Sequence, residues 1–152
     1  MTSPDPALTT IADRLAIQEL CARYNWYVDQ FIIDPLMELF VDDGPVFDET
    51  PAGLGRNEGQ EAIRAYYGEG LFKMLKSMVH LTTNFFLTEL TADSAKGKCS
   101  AHVFAETQDG GKVDVLCWYD DVYRRTDKGW QFVSRVVTPY TTPQLAGLDG
   151  EH

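Results

Sequence analysis

The sequence lacks any apolar run close to the roughly 20 residues that a membrane-spanning helix needs, so no membrane partner is expected. Positive charge is scarce: 13 Lys and Arg stand against 23 Asp and Glu, a formal net charge of −10. Such a field repels phosphate backbones and anionic surfaces, which argues against nucleic acid as a partner. Only three cysteines occur, Cys21, Cys99 and Cys117. An odd number without CxxC spacing fits neither a disulfide framework nor a zinc knuckle, and reduced core thiols in a cytoplasmic protein are expected. The opening MTSPDPALTT has neither the charged start nor the apolar centre of a signal peptide. No GxGxxG, P-loop or GxSxG is present, which leaves no basis for a nucleotide cofactor or a serine nucleophile. Two histidines on separate strands with one Asp are too few for a metal site, so neither a cofactor nor a metal is expected.

What is present fits one domain, since 152 residues can bury a single sizeable core. The boundaries expected are a disordered lead-in over 1–10, one domain over 11–140 and an irregular tail over 141–152. From about residue 6 to 31, Ile11, Leu15, Ile17, Leu20, Tyr24, Tyr27 and Phe31 recur at helical spacing, which predicts a long amphipathic first helix. Asp34 before Pro35 reads as the cap of a short second helix carrying Leu36, Met37, Leu39 and Phe40. Residues 46–48 read as a brief strand, and the Gly- and Pro-rich residues 50–55 as a loop able to act as a flap. A third helix is predicted from near Asn57, weakened by Gly68 and Gly70.

Beyond Ser77 the period changes to two, and strands are expected over 78–87, 98–108, 112–126 and 130–138. Asp109-Gly110-Gly111 and Asp127-Lys128-Gly129 supply hairpin turns. Helices followed by a meander of long strands is an α+β order, in which the helices cap a curved antiparallel sheet. Long strands coil, and a coiled sheet closed at one end by helices forms a cone with a ligand-sized interior.

This order, with the stretches DRLAIQEL (13–20), Tyr24 and Asp29, LFVDD (39–43), GQEAIRAY (59–66), VHLTTN (79–84) and YRRTDKGWQF (123–132), resembles the SnoaL-like branch of the nuclear transport factor 2-like superfamily. Residues 11–138 take part. The resemblance implies a cone-shaped, cystatin-like α+β fold. Within it the pattern is most similar to scytalone dehydratase, bile-acid dehydratase and hexachlorocyclohexane dehydrochlorinase, whose catalytic pair is an Asp late in the first helix and a His on the first long strand. Asp29 and His80 match those positions. Because the fold hosts many activities, function has to be argued from the residues.

His80 shares its strand face with Met78, Thr82, Asn84 and Phe86, a polar residue in a core-building segment. An imidazole suits proton abstraction near neutrality, and a carboxylate on its other nitrogen fixes its tautomer; Asp29 is the candidate carboxylate, the alternatives being a helix-capping or solvent-facing Asp29 and a hydrogen-bonded core His80. Tyr24 lies five residues before Asp29, about 140° around an ideal helix, so the two would line adjacent walls. Its phenol can donate to a departing or developing oxygen, the alternative being a plain core tyrosine. The dehydrochlorinase resemblance implies a lysine at this position, and that departure weighs against halide elimination. His102, beside Ser100, Phe104 and Glu106 on the second long strand, is a candidate second acid or a surface residue, with Asp114 an alternative for the role.

Trp26, Phe47, Tyr66, Asn84, Phe86, Phe104 and Trp118 are the candidate substrate-binding residues, although aromatics at such spacing also build plain cores. Arg125 and Arg135 either bind a carboxylate at the mouth or are solvated. The expected function is a cofactor-independent, dehydratase-like lyase acting on a small, mostly apolar hydroxylated or cyclic substrate by His–Asp general base catalysis. The alternatives are a double-bond isomerase, a polyketide-cyclase-like enzyme, or a non-catalytic ligand-binding or assembly module. A homodimer or homotrimer is expected, with Val113, Val115, Cys117 and Tyr119 suited equally to an interface or to the interior.

Overall fold

The structure is a computed structural model that describes residues 5–140; the expected tail over 141–152 lies outside the described residues. Helix α1 spans Pro6–Asp29. Its start is chemical: the Asp5 side chain accepts the Ala7 N–H at 2.9 Å, and Pro6 occupies a first-turn position where its missing N–H costs nothing. Residues 6–10, expected in a disordered lead-in, are therefore helical. The buried stripe runs through Asp13, Ile17, Leu20, Cys21, Tyr24, Asn25 and Val28. Ile11 and Leu15, expected on that stripe, are exposed, because Asp13 takes the inward position and binds Arg125 and the Trp130 indole. The helix ends where Phe31 turns left-handed at φ 57° and the Ile32 N–H returns to the Tyr27 carbonyl.

Helix α2 is one short turn over Ile33–Met37, entered from Ile32 rather than capped by Asp34, whose carboxylate instead pairs with Arg64. Strand β1 (Val46–Asp48) is followed by a 3₁₀ turn at Thr50–Ala52 and by strand β2 (Arg56–Glu58). Asn57, expected to cap a helix, pairs with Phe47 inside that small hairpin, so α3 begins later and spans Gln60–Ala65. The helical run then widens to π geometry over Tyr66–Leu71, around Gly68 and Gly70, and closes with the turn α4 (Phe72–Met74).

Strands β3 (Leu75–Leu90), β4 (Ser94–Thr107), β5 (Lys112–Thr126) and β6 (Gly129–Pro139) form the expected antiparallel meander. The six strands lie in the order β2-β1-β6-β5-β4-β3, with β1 joining β6 in parallel. The fold is thus the curved α+β sheet under N-terminal helices that the sequence indicates. Ala95, Cys99, Ala101, Val103 and Ala105 alternate inward along β4, a row of small residues that lets the sheet wrap closely around its contents.

Three register shifts punctuate β3 against β4. One lies between Thr83 and Phe86, where β3 carries an extra residue and Asn84 takes a left-handed φ of 56°. The next lies between Leu87 and Glu89. Between them Gly97 lies so close to β3 that a Cβ would meet Phe86 O and Leu87 Cδ2 at 3.0 Å. Bulges of this kind bend the strand that carries them, and each extra residue reverses which side chains face inward.

Candidate active site

The helical cap and the inner faces of β3 to β6 enclose a cavity of about 600 Å³. Its sheet side is mostly apolar, lined by Met78, Val103, Ala105, Val113, Val115 and Val137, with Thr107, Gln108 and Asp109 at the end of β4 and in the turn after it. Val113, Val115, Cys117 and Tyr119, read from sequence as interface or interior, all line the cavity. Its polar groups form a chain of neighbours, His80 on β3 beside Tyr24, Tyr24 bonded to Tyr67, Tyr67 against Tyr66, and Tyr66 bonded to Glu49.

His80 is placed by regular pairing of β3 with β4, in which His80 opposes the buried Val103 and Met78 opposes Ala105. Asp29 is the last residue of α1 and reaches β3 from above. The His80 Nδ1–H donates to Asp29 Oδ1 at 2.6 Å, and the His80 backbone N–H donates to Asp29 Oδ2 at 3.0 Å. The two side chains are 5% and 12% exposed. A carboxylate on Nδ1 selects the tautomer whose Nε2 is unprotonated, which equips that nitrogen to accept a proton.

Tyr24 lines the cavity with its ring edge-on to His80, centroids 6.3 Å apart. Its hydroxyl is 2.5 Å from the Tyr67 hydroxyl, and burial pushes its pKa up to about 12, so it holds its proton. Behind it the Arg135 guanidinium stacks 4.2 Å from the Tyr24 ring and 4.1 Å from that of Tyr119. Arg135 is fully buried and joined to Asp121 by two bonds of 2.8 Å, so it is neither solvated nor at the mouth. Sequence periodicity could not reveal this, because Arg135 and Asp121 lie on different strands and become partners only through the β5–β6 register. Arg125 pairs with Asp13 and stacks on Trp130, away from the cavity lining.

Phe47 and Tyr66 line the cavity, their rings 5.3 Å apart. The other expected binding residues do not. Trp26 is 61% exposed on the outer side of α1, two residues round from the buried Tyr24. Asn84 sits in the bulge, and Phe86 emerges from it 52% exposed, because the extra residue on β3 turns Phe85 and Leu87 inward instead. Phe104 and His102 lie on the outer sheet face, since Ala101, Val103 and Ala105 hold the inner positions of β4. There His102 Nε2 pairs with Asp114 at 2.6 Å, so neither candidate second acid reaches the cavity. Trp118 is on the same outer face, its indole donating to Asp120.

Several cavity groups carry no sequence signal of a site, among them Tyr67, Glu49, Lys73, Gln108 and Asp109. Tyr67 stands between Tyr24 and Tyr66, its ring 4.9 Å from that of Tyr66. Glu49 accepts the Tyr66 hydroxyl at 2.5 Å, and burial raises its carboxyl pKa, with the nearby Asp48 charge adding to the rise. Glu49 follows β1 at the root of the flap-like loop, where the Glu49 N–H donates to the Gly55 carbonyl and the Leu54 N–H to the Glu49 carbonyl. No periodic signal marks a residue in such a turn. Among the described residues no group of three or more His, Cys, Asp or Glu is arranged to hold a metal ion, and no helix is long and apolar enough to cross a membrane.

A family model described as a SnoaL-like domain matches residues 9–136. Among solved structures, a proposed aromatic ring hydroxylase from Novosphingobium aromaticivorans is 31% identical, with 88% of this chain and 92% of that chain covered and a TM-score of 0.84. A hexachlorocyclohexane dehydrochlorinase of type 2 is 25% identical, with 93% and 95% covered and a TM-score of 0.81. A proposed scytalone dehydratase, also from Novosphingobium aromaticivorans, shares the fold at 18% identity, with 89% of each chain covered and a TM-score of 0.81.

Proposed function

The chain belongs to the SnoaL-like domain family, and on that premise we propose that it is a cofactor-independent lyase of the dehydratase type. The observation that carries this reading is the buried Asp29–His80 pair at the wall of an apolar cavity. Similarity to proteins described as a dehydrochlorinase and a proposed dehydratase supports elimination chemistry in this fold.

In the proposed reaction His80 Nε2 takes a proton from a carbon made acidic by a neighbouring carbonyl. Asp29 holds the ring in place and stabilises the imidazolium that forms, a contribution of roughly 10²–10⁴ in rate for a positioned base. Tyr24 keeps its proton and, through Tyr67, presents a hydroxyl pair to the oxygen on which charge develops. The apolar wall excludes water and strengthens these contacts. Phe47 and Tyr66 favour a ring-bearing or otherwise flat, largely apolar hydroxylated substrate.

The site is tested with a panel of ring-bearing hydroxy ketones, followed by loss of absorbance or gain of a conjugated product. His80→Ala is expected to abolish turnover while the chain still folds, as read by an unchanged far-ultraviolet spectrum; undiminished turnover by this variant would overturn the assignment. Double-bond isomerisation uses the same base and would appear in the panel as a shifted double bond without loss of water.

The outer sheet face exposes Val79, Leu81, Phe86, Phe104, Leu116 and Tyr140, an apolar surface suited to a second copy of the chain in a homodimer or homotrimer. Three buried, unpaired thiols fit a reducing, cytoplasmic compartment.

A further inference from the structure

Among the described residues two carboxyl groups line the cavity, Asp109, which is tied to Thr107 and Gly111, and Glu49, which bonds Tyr66; neither His80 nor Asp29 engages Glu49. It comes from a different element than the base: His80 stands on β3, whereas Glu49 opens the loop between β1 and β2. Tyr66 donates to Oε2 at 2.5 Å, which leaves Oε1 without a hydrogen bond among the described residues. The same loop brings Ala52 and Leu54 to the cavity wall, so the carboxyl is set in apolar surroundings. Its neighbours include Tyr24 and Tyr67, whose ionisation a charge on Glu49 opposes.

We propose, resting on the lyase reading above, that Glu49 is a catalytic proton donor to the leaving hydroxyl, and that the substrates are neutral, ring-bearing β-hydroxy carbonyl compounds. His80 and Glu49 then act as separate base and acid on two sites of one substrate. His80 Nε2 accepts the proton from the carbon beside the carbonyl, and the C–H electron pair becomes the new carbon–carbon double bond. The C–O bond breaks, and the hydroxyl departs as water carrying the Glu49 proton. Solvent afterwards returns a proton to Glu49 and removes one from His80, which closes the cycle without an oxidant or a second substrate.

Three features support the assignment. Burial favours the neutral acid, the form a donor must have before reaction. Tyr66 gives the conjugate base a strong hydrogen-bond partner once the proton has left. The lysine that lines the cavity, Lys73, is paired with Glu69, so among the described residues the lining offers no unpaired cation to hold an anionic substrate.

The discriminating experiment varies the leaving group. A β-hydroxy ketone needs an acid to release its hydroxyl, whereas the matching β-acetoxy ketone releases acetate unaided. Glu49→Gln, which can still accept the Tyr66 hydrogen bond, is expected to lower kcat on the hydroxy ketone about a hundredfold or more while leaving the acetoxy ketone within about twofold of wild type. Glu49→Ala is expected to repeat that split. Infrared difference spectra of wild type against Glu49→Gln near neutral pH should show loss of the carbonyl band of a neutral carboxylic acid. Loss of carboxylate bands instead overturns the donor role, as does an equal effect on both substrates, which is the mark of a carboxyl that merely ties down its loop. These failures leave His80 dependence intact. A wild type that eliminates from neither ketone overturns the lyase reading itself, and the Glu49 donor with it.

Discussion

Asp29 grips His80 at two points, taking the ring Nδ1–H on one carboxylate oxygen and the backbone N–H on the other, at 2.6 and 3.0 Å. A single side chain therefore fixes both the orientation of the ring and its distance from the end of α1. Asp29→Asn can reproduce both contacts, with its carbonyl accepting the backbone N–H and its amide donating to Nδ1. That donation forces the proton onto Nε2 and removes the base. We expect a melting temperature close to wild type and a fall in kcat of about 10²–10⁴. Thermal unfolding and steady-state kinetics on the same preparation check it.

Arg135 and Asp121 form a fully buried ion pair beneath Tyr24. Burial disfavours the guanidinium charge, yet the Asp121 carboxylate more than offsets this and keeps it protonated. Arg135→Met strands the Asp121 carboxylate in the core, and a loss of about 3–5 kcal/mol is expected from removing one partner of such a pair. Urea unfolding measures it. Substituting both residues by apolar ones should recover much of that loss, because the remaining charge goes too.

Burial raises the thiol pKa values of Cys21, Cys99 and Cys117 from 9.0 to about 11, about 12 and about 11. Above pH 9 the unfolded chain releases these protons while the folded chain keeps them, so stability present below that pH is lost as pH rises towards the folded values. Each thiol contributes a slope of at most about 1.4 kcal/mol per pH unit. Urea midpoints measured at about pH 8 and about pH 10 should differ accordingly, and a variant with all three cysteines replaced by Ala should lose that part of the difference.

Leu81 and Leu116 are 54% and 47% exposed on the outer sheet face. Leu81→Asp places a charge in the surface assigned to a second copy of the chain, and is expected to shift the mass seen by light scattering to that of the monomer while the far-ultraviolet spectrum stays unchanged. A wild-type protein that is already monomeric removes that assignment.

The sites that sequence reading reached and missed differ for a physical reason. Asp29 and His80 are singled out by the resemblance, since periodicity alone leaves a carboxylate near a helix end open to a capping or solvent-facing role and an imidazole in a strand open to a core role. Phe86 and Asn84 were misplaced by extrapolating strand alternation through a bulge that no local residue announces, as Phe86 shows by pointing outward. His102 was ambiguous because a strand of small and polar residues looks alike from either face. Glu49 and Tyr67 carried no pattern, since a loop carboxylate and one tyrosine in a tyrosine pair gain their meaning from neighbours far along the chain.

Composition and periodicity by themselves determined the long first helix, the meander of four long strands and its hairpin turns, because backbone preferences and alternating burial are local properties of consecutive residues. Tertiary structure alone decided which side chains share the cavity, because the bulges in β3 and the pairing of β5 with β6 set facing and partnership across residues more than ten positions apart. A shift of one residue in either would exchange the inner and outer walls of the cone.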